Sequence, residues 1–242
     1  MKRIIVCEDE ASIREFIVFN LKRSGYEVTD VGSGEDAVKA FQESGGEYDV
    51  ALLDIMLPGI DGVEVCKRLR GMSDKIGIIM LSAKSQEMDK VGSLMMGADD
   101  YITKPFSVTE LVARVDAVCR RVNMTADRPS DHASIIESGP FTLDLKSRTV
   151  HKNGVPIDLT QVEYQIMEYF FKNQNTALDR ISILKGIWGD SYYSVEKIVD
   201  VNIRRIRMKI EDEPSEPKYI TTIWGYGYKW CSPEEQEPAA DK

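Results

Sequence analysis

Five side chains in this sequence could together handle a phosphoryl group. Glu8 and Asp9 follow directly on an apolar run at residues 4–7, and Asp54 lies near the end of a second run, 50–55. If both runs are strands of one sheet, these carboxylates meet at its edge and repel one another unless a hard divalent cation joins them. Oxygen ligands with an open coordination shell suit Mg²⁺. Ser82 closes a third run, 77–81, and Lys104 comes just after a fourth, 100–102. A hydroxyl and an ammonium aimed into the same crevice are what a carboxylate needs when it attacks phosphorus. The cation and Lys104 neutralise the equatorial oxygens, Ser82 donates a hydrogen bond to one of them, and Asp54 ends as an aspartyl phosphate.

The elements that must position these groups are legible as a rhythm. With a further run at 28–31, short apolar stretches alternate up to residue 122 with segments of helical period at 11–24, 34–44, 63–70, 87–96 and 108–122. Such alternation requires a parallel sheet covered on both faces, an α/β doubly wound (βα)5 architecture whose functional groups gather at the carboxyl ends of the strands. Residues 123–134 are polar, aperiodic and contain a proline, as a linker does. Beyond them, 135–157 reads as short antiparallel strands with a hairpin at Asn153-Gly154. Thr160 and Glu163 form a capping box for a helix, further helices are predicted over 180–187 and 195–211, and residues 219–230 read as a β-hairpin around Gly225 and Gly227. Helices with a terminal hairpin form a winged-helix α+β domain. The domains are therefore predicted at 1–122 and 135–232, followed by an acidic, mobile tail at 233–242.

Glu8-Asp9, Asp54 with Pro58-Gly59, Leu81-Ser82-Ala83 and the stretch from Asp99 to Phe106 that contains Lys104-Pro105 together resemble the bacterial response-regulator receiver domain, over essentially residues 1–122. The resemblance implies the flavodoxin-like strand order, a metal set completed by the Met56 backbone carbonyl, a cis Lys104-Pro105 peptide, and Ser82 and Tyr101 as residues that move on phosphorylation. It also implies that Lys90, Asp99, Asp100, Glu110, Arg114 and Arg121 form a two-fold interface through the fourth and fifth helices. From the residues alone these are helix-surface charges, including an i,i+4 pair at Glu110 and Arg114.

The helix predicted at 195–211 has apolar positions at Ile198, Val199, Ile203, Ile206 and Ile210. It carries five basic residues between 195 and 209 against Glu196 and Asp200, a local excess in a chain of net charge −9. Val199-Asp200-Val201, Arg204-Arg205-Ile206-Arg207, Lys218-Tyr219-Ile220 and Trp224-Gly225-Tyr226-Gly227-Tyr228 resemble the OmpR/PhoB winged-helix domain, over about 135–231. The resemblance implies a helix in the major groove of promoter DNA, arranged as direct-repeat half-sites. Asn202 is expected to read adenine and Arg205 guanine, with Lys197, Arg204 and Arg207 among the contacts and the wing reaching DNA through Thr222 and Lys229. Many relatives have an arginine where this chain has Trp224, which is expected to pack instead. The loop from Trp188 to Tyr193 is either a surface for RNA polymerase, as in relatives, or a packed aromatic turn.

Composition narrows the remaining classes. At 242 residues, 43% hydrophobic and 29% charged, the chain has material for two cores, and its net charge of −9 excludes a protein that coats nucleic acid with its whole surface. The four scattered cysteines suggest neither a zinc cluster nor a disulfide framework, and no stretch reads as a signal peptide or membrane span; a cytoplasmic location is expected. A phosphohydrolase of the haloacid dehalogenase type needs a second aspartate two residues after the nucleophile, where this chain has Met56. A dinucleotide-binding fingerprint at Gly32-Ser33-Gly34 lacks its third glycine, the position being Ala37. A receiver that only binds protein would require the C-terminal domain to be misread, and gel-shift binding to short DNA separates that case. The reading is a transcription regulator rather than an enzyme: Asp54 accepts a phosphoryl group from a partner sensor histidine kinase, water later hydrolyses it, and phosphorylation drives homodimerisation. His132 and His151 have no relay context and do not serve as donors.

Overall fold

The computed structural model describes residues 1–83, 97–123, 134–189 and 196–232, and the chain divides into two compact units, Met1–Met124 and Thr125–Lys242. In the first unit, strands β1 (Arg3–Cys7), β2 (Glu27–Val31), β3 (Val50–Asp54), β4 (Gly77–Ala83) and β5 (Asp100–Lys104) form one sheet in the order β2-β1-β3-β4-β5, and every neighbouring pair is parallel. Among the described residues the connecting or following helices are α1 (Ala11–Arg23), α2 (Gly34–Glu43), α3 (Gly62–Met72) and α4 (Val108–Asn123). The helix expected at 87–96, with Lys90, lies outside the described residues, as do residues 124–133 of the expected linker and the tail from 233.

Both faces of the sheet are buried, which explains the unbroken apolar runs. Ile4, Val6, Val50, Leu52, Ile79, Leu81 and Ile102 pack against Ile17 and Leu21 of α1 and Leu111, Val115 and Val118 of α4. On the opposite face Ile5, Leu53, Ile78 and Met80 are equally buried, as are Ala37 and Phe41 of α2 and Val65, Cys66 and Leu69 of α3. Each fully buried Ile, Leu or Val contributes about 1.5–3 kcal/mol relative to exposure. The helices start where the sequence provides caps: Ser33 accepts from the Asp36 amide and Asp61 from the Glu64 amide.

The second unit has a four-stranded antiparallel sheet, β6 (Ile135–Ser138), β7 (Phe141–Asp144), β8 (Thr149–Lys152) and β9 (Val155–Ile157), in sequence order. Asn153 and Gly154 make the β8–β9 turn with φ of 52° and 77°, the double positive φ that a tight hairpin demands. Helices α5 (Gln161–Lys172), α6 (Arg180–Trp188) and α7 (Lys197–Ile210) follow, with a sheet in the order β10-β12-β11 made from β10 (Ala177–Asp179), β11 (Ile220–Ile223) and β12 (Gly227–Trp230). The strand β10 was not expected: three residues, Ala-Leu-Asp, offer no alternation to read. Trp230 joins the layers, its indole N–H donating to Ser138 Oγ at 2.9 Å and its ring packing on Phe141 and Phe171.

Two glycines carry the hairpin differently from the expectation that both serve the turn. Gly225 has φ 72° at the tip, whereas a Cβ at Gly227 would lie 2.0 Å from the carbonyl oxygen of Leu178. Gly227 is required by the close approach of β10 to β12.

Candidate functional site

The parallel register brings the expected groups together. Cys7 lies opposite Leu53, so Glu8 and Asp9 emerge beside Asp54, and Ala83 lies opposite Lys104 across the β4–β5 ladder. Ligand atoms of Glu8, Asp9 and Asp54 fall within 4.8 Å of one another. Lys104 Nζ donates to Asp54 Oδ2 at 2.5 Å and sits 2.6 Å from Glu8 Oε2. The Met56 amide donates to Asp54 Oδ1 at 3.0 Å, so the backbone of residue 56 borders the carboxylate. Ser82 is buried at the adjoining strand end, with its hydroxyl unpaired among the described residues, and Tyr101 is buried on β5. The Lys104-Pro105 peptide is cis.

Electrostatics mark the cluster as incomplete by itself. Burial, followed by the charge of Asp54, pushes the Glu8 carboxyl up to about 7 even though Lys104 pulls it down. Burial also works against the Lys104 ammonium, but its hydrogen bonds to Asp54 and Glu8 outweigh that and raise its pKa. Glu8 Oε1 is buried with no hydrogen-bond partner among the described residues. A buried carboxylate oxygen left unpaired is costly unless a cation completes its shell, and an all-oxygen donor set fits a hard divalent ion. Cys7, directly beside the cluster, donates from Sγ to the Ser33 carbonyl, and burial pushes its thiol up to about 12, which leaves it unreactive.

Gly62 was not singled out by the sequence, yet the site depends on it: a Cβ there would sit 1.9 Å from the carbonyl oxygen of Asp54. Gly62→Ala is expected to displace the β3–α3 loop, destabilise the domain by about 1–3 kcal/mol and slow modification of Asp54. A thermal melt and a phosphorylation time course unchanged from wild type would contradict this.

Of the charges expected to form a two-fold interface, the described residues include Asp99, Asp100, Glu110 and Arg114, and the two aspartates are buried. Asp99 is turned inward, where its Oδ2 accepts from Arg70 at 2.9 Å and from the Ile78 amide at 2.7 Å, so it serves the fold. Asp100 is fully buried and accepts from Arg114, which also pairs with Glu110 at 3.0 Å. The side chains of Lys90 and Arg121 lie outside the described residues.

Helix α7 also corrects the expected reading residues. Asn202 is fully buried and donates from Nδ2 to the Ile198 carbonyl, so it does not present itself to a base. Arg205 is drawn inward to Glu163 Oε1 at 2.9 Å, with its side chain only 11% exposed. Arg207 donates twice to the Ile220 carbonyl and once to Thr222 Oγ1 at 2.9 Å, which ties the helix to β11 and occupies the Thr222 hydroxyl. The exposed positions of the helix are Lys197, Arg204, Met208 and Lys209; the first three are spaced seven and four residues apart on one face, whereas the Lys209 ammonium is tied to Glu163 at 2.8 Å. Lys229 is partly exposed on β12. The two strands of the hairpin are anchored to α7 a second time, by the Tyr228 hydroxyl, which donates to Asp200 at 2.7 Å. Trp224, expected to pack, is 92% exposed at the hairpin tip. Trp188 is buried, which favours the packed reading for the start of its loop, while Tyr192 and Tyr193 lie outside the described residues.

A buried lysine–aspartate pair at the switch point of a five-stranded parallel sheet, followed by a winged helix, defines a receiver joined to a DNA-binding output domain. The chain belongs to the two-component response regulators of the OmpR/PhoB type: residues 4–116 match the response regulator receiver domain and residues 154–230 the C-terminal domain of transcriptional regulatory proteins. It is 41% identical over 229 residues to the sensory transduction protein RegX3 of Mycolicibacterium smegmatis, covering 95% of this chain and 99% of that one. It is 39% identical to the transcriptional regulatory protein YcbL of Bacillus subtilis, covering 93% and 98%. A solved structure of a RitR mutant superposes with a TM-score of 0.72 at 26% identity, covering 95% of this chain and 99% of that one. The protein is thus a transcription regulator rather than a classical enzyme. Among the described residues no helix is long and apolar enough to cross a membrane.

Proposed function

We propose that a sensor histidine kinase phosphorylates Asp54, and that the modified receiver forms a homodimer which binds promoter DNA more tightly. The observation that carries this reading is the Asp54 carboxylate held 2.5 Å from Lys104 Nζ, with Glu8 and Asp9 alongside and, at the next strand end, a Ser82 hydroxyl unpaired among the described residues. A carboxylate oxygen of Asp54 forms the new O–P bond as the N–P bond of the donor phosphohistidine breaks, and the departing imidazole nitrogen takes up a proton. Lys104 holds positive charge against the phosphoryl oxygens, and Ser82 donates to one of them. Mg²⁺, held by Glu8, Asp9, Asp54 and the Met56 carbonyl, would supply the remaining neutralisation. Water later cleaves the acyl phosphate and restores Asp54.

With Asp99 and Asp100 both buried, Glu110 and its partner Arg114 are the residues of the expected dimer surface that remain for this contact among the described residues. RNA polymerase is a further partner, reached through the segment after Trp188.

On DNA, Lys197 and Arg204 meet phosphates in this reading and Met208 lies against the groove. The test is affinity for a duplex selected by the protein from a random-sequence pool, measured with and without acetyl phosphate and Mg²⁺. Tighter binding after treatment, absent in Asp54→Ala, is expected; equal binding in all four cases would remove phosphorylation from the switch. Arg204→Ala should weaken binding across sequences and lower the slope of log K against log salt by about 1. Asn202→Ala should instead lower the melting temperature, with sequence preference intact. An unchanged salt slope for Arg204→Ala would remove that phosphate contact.

A further inference from the structure

We propose that Trp224 is an aromatic wedge for the DNA minor groove, set at the tip of the hairpin. This rests on the reading that the C-terminal domain binds DNA. Trp224 is 92% exposed, and Tyr226 beside it is 49% exposed. The other two tryptophans are buried in the core, Trp188 at 2% and Trp230 at 0%. An indole held almost wholly in water forgoes the largest hydrophobic gain available to any side chain, so nothing in the stability of this domain accounts for its position.

The tip is also stiff. Gly225 turns it at φ 72°, the Tyr226 amide closes it on the Ile223 carbonyl at 3.0 Å, and β11 and β12 pair antiparallel from Ile220–Trp230 to Ile223–Gly227. At its base Arg207 grips Ile220 and Thr222, and Tyr228 donates to Asp200. Helix and tip are therefore one rigid unit, and DNA that meets the exposed face of α7 meets the tip at a fixed offset. A preorganised ring loses little entropy on contact.

Charge selects the occupant. From Lys218 to Ser232 the chain carries two lysines, Lys218 and Lys229, and no acidic residue, within a protein of net charge −9. That local sign suits a polyanion and disfavours the acidic remainder of this chain. An arginine at such a tip would be held by the negative potential of a narrow groove. An indole has no charge and reads deformability instead, packing on sugar edges or entering a flexible pyrimidine–purine step. The substitution thus changes which sequences the wing favours.

Because Trp224 is the exposed indole and the other two are buried, its emission is a built-in reporter. Full-length protein treated with acetyl phosphate and Mg²⁺ is titrated with the pool-selected duplex while acrylamide quenching is followed, and anisotropy of labelled duplex measures binding independently. The expected result is a several-fold fall in quenching on binding. Affinity should drop on the order of tenfold in Trp224→Ala and largely persist in Trp224→Phe, with unchanged melting temperature in both. Duplex bound with Trp224 still fully quenchable, and Trp224→Ala binding as wild type, would overturn the wedge while leaving the DNA reading intact. Shielding before DNA is added, lost on phosphorylation, would assign the ring to a contact within the protein and likewise overturn it. No binding by anisotropy would overturn the DNA reading itself.

Discussion

Lys104→Ala should slow phosphorylation of Asp54 by acetyl phosphate about 10²-fold or more at saturating Mg²⁺, the usual cost of removing one preorganised group that stabilises transition-state charge. The expectation comes from position: the ammonium touches Asp54 and Glu8 together, at 2.5 and 2.6 Å, and no other cation among the described residues is paired to Asp54. Removing it also leaves two acidic groups facing each other, so the metal should bind no more weakly than before, because the attraction of the carboxylates is no longer shared. A lower rate at every Mg²⁺ concentration is therefore expected, rather than a rate that extra metal restores. Full recovery of the rate at high Mg²⁺ would assign Lys104 to metal retention and contradict a direct role at the phosphoryl group.

The second large effect lies away from the phosphoryl chemistry. Glu163 is fully buried; it accepts from the Thr160 amide as the partner in the capping box of α5, and it pairs with Arg205 at 2.9 Å and Lys209 at 2.8 Å on α7. Burial raises its pKa, but Arg205 and Lys209 more than reverse that and hold it below the ordinary 4.5. Glu163→Gln keeps the shape and strands the largely buried Arg205, with the more exposed Lys209 losing less, so a loss of about 3 kcal/mol is expected, the low end for breaking a buried pair. For a domain of this size that lowers the melting midpoint by at least ~10 °C.

The pH dependence has a definite sign. A carboxyl whose folded pKa is depressed contributes stability that is fully present above its unfolded value of 4.5 and is lost as pH falls through the folded value beneath it. The gap between wild type and Glu163→Gln should therefore be constant near neutrality and shrink below about pH 4.5. A gap independent of pH down to acid unfolding would show that packing, rather than charge, is what the glutamate contributes.

The two sites differed in how far the sequence exposed them. Strand ends in a parallel sheet announce themselves, because an apolar run must stop where the chain leaves the core. Glu8, Asp54, Ser82 and Lys104 all stand at such stops, and the register brings them together. Helix α7 was harder, since its basic residues serve two purposes. Asn202 lies four residues from both Ile198 and Ile206, a spacing that already placed it on the buried face, but its polarity suggested a base reader. Arg205 could not be assigned without knowing that Glu163, distant in sequence and apparently explained by the capping box, lies beneath it. Gly62 and Gly227 were illegible for a related reason: what forbids a side chain there is a backbone carbonyl from another element. Trp224 shows the opposite limit, since its large apolar side chain suggested burial and the fold holds it in water.

The most direct test of the account is the intact mass of the full-length protein after acetyl phosphate and Mg²⁺, compared with the same treatment in EDTA and with Asp54→Ala. The account predicts one phosphoryl adduct that is labile in hydroxylamine, requires the metal and is absent from Asp54→Ala. An adduct that persists in Asp54→Ala, or no adduct in the wild type with Mg²⁺ present, would contradict Asp54 as the phosphoacceptor and with it the switch.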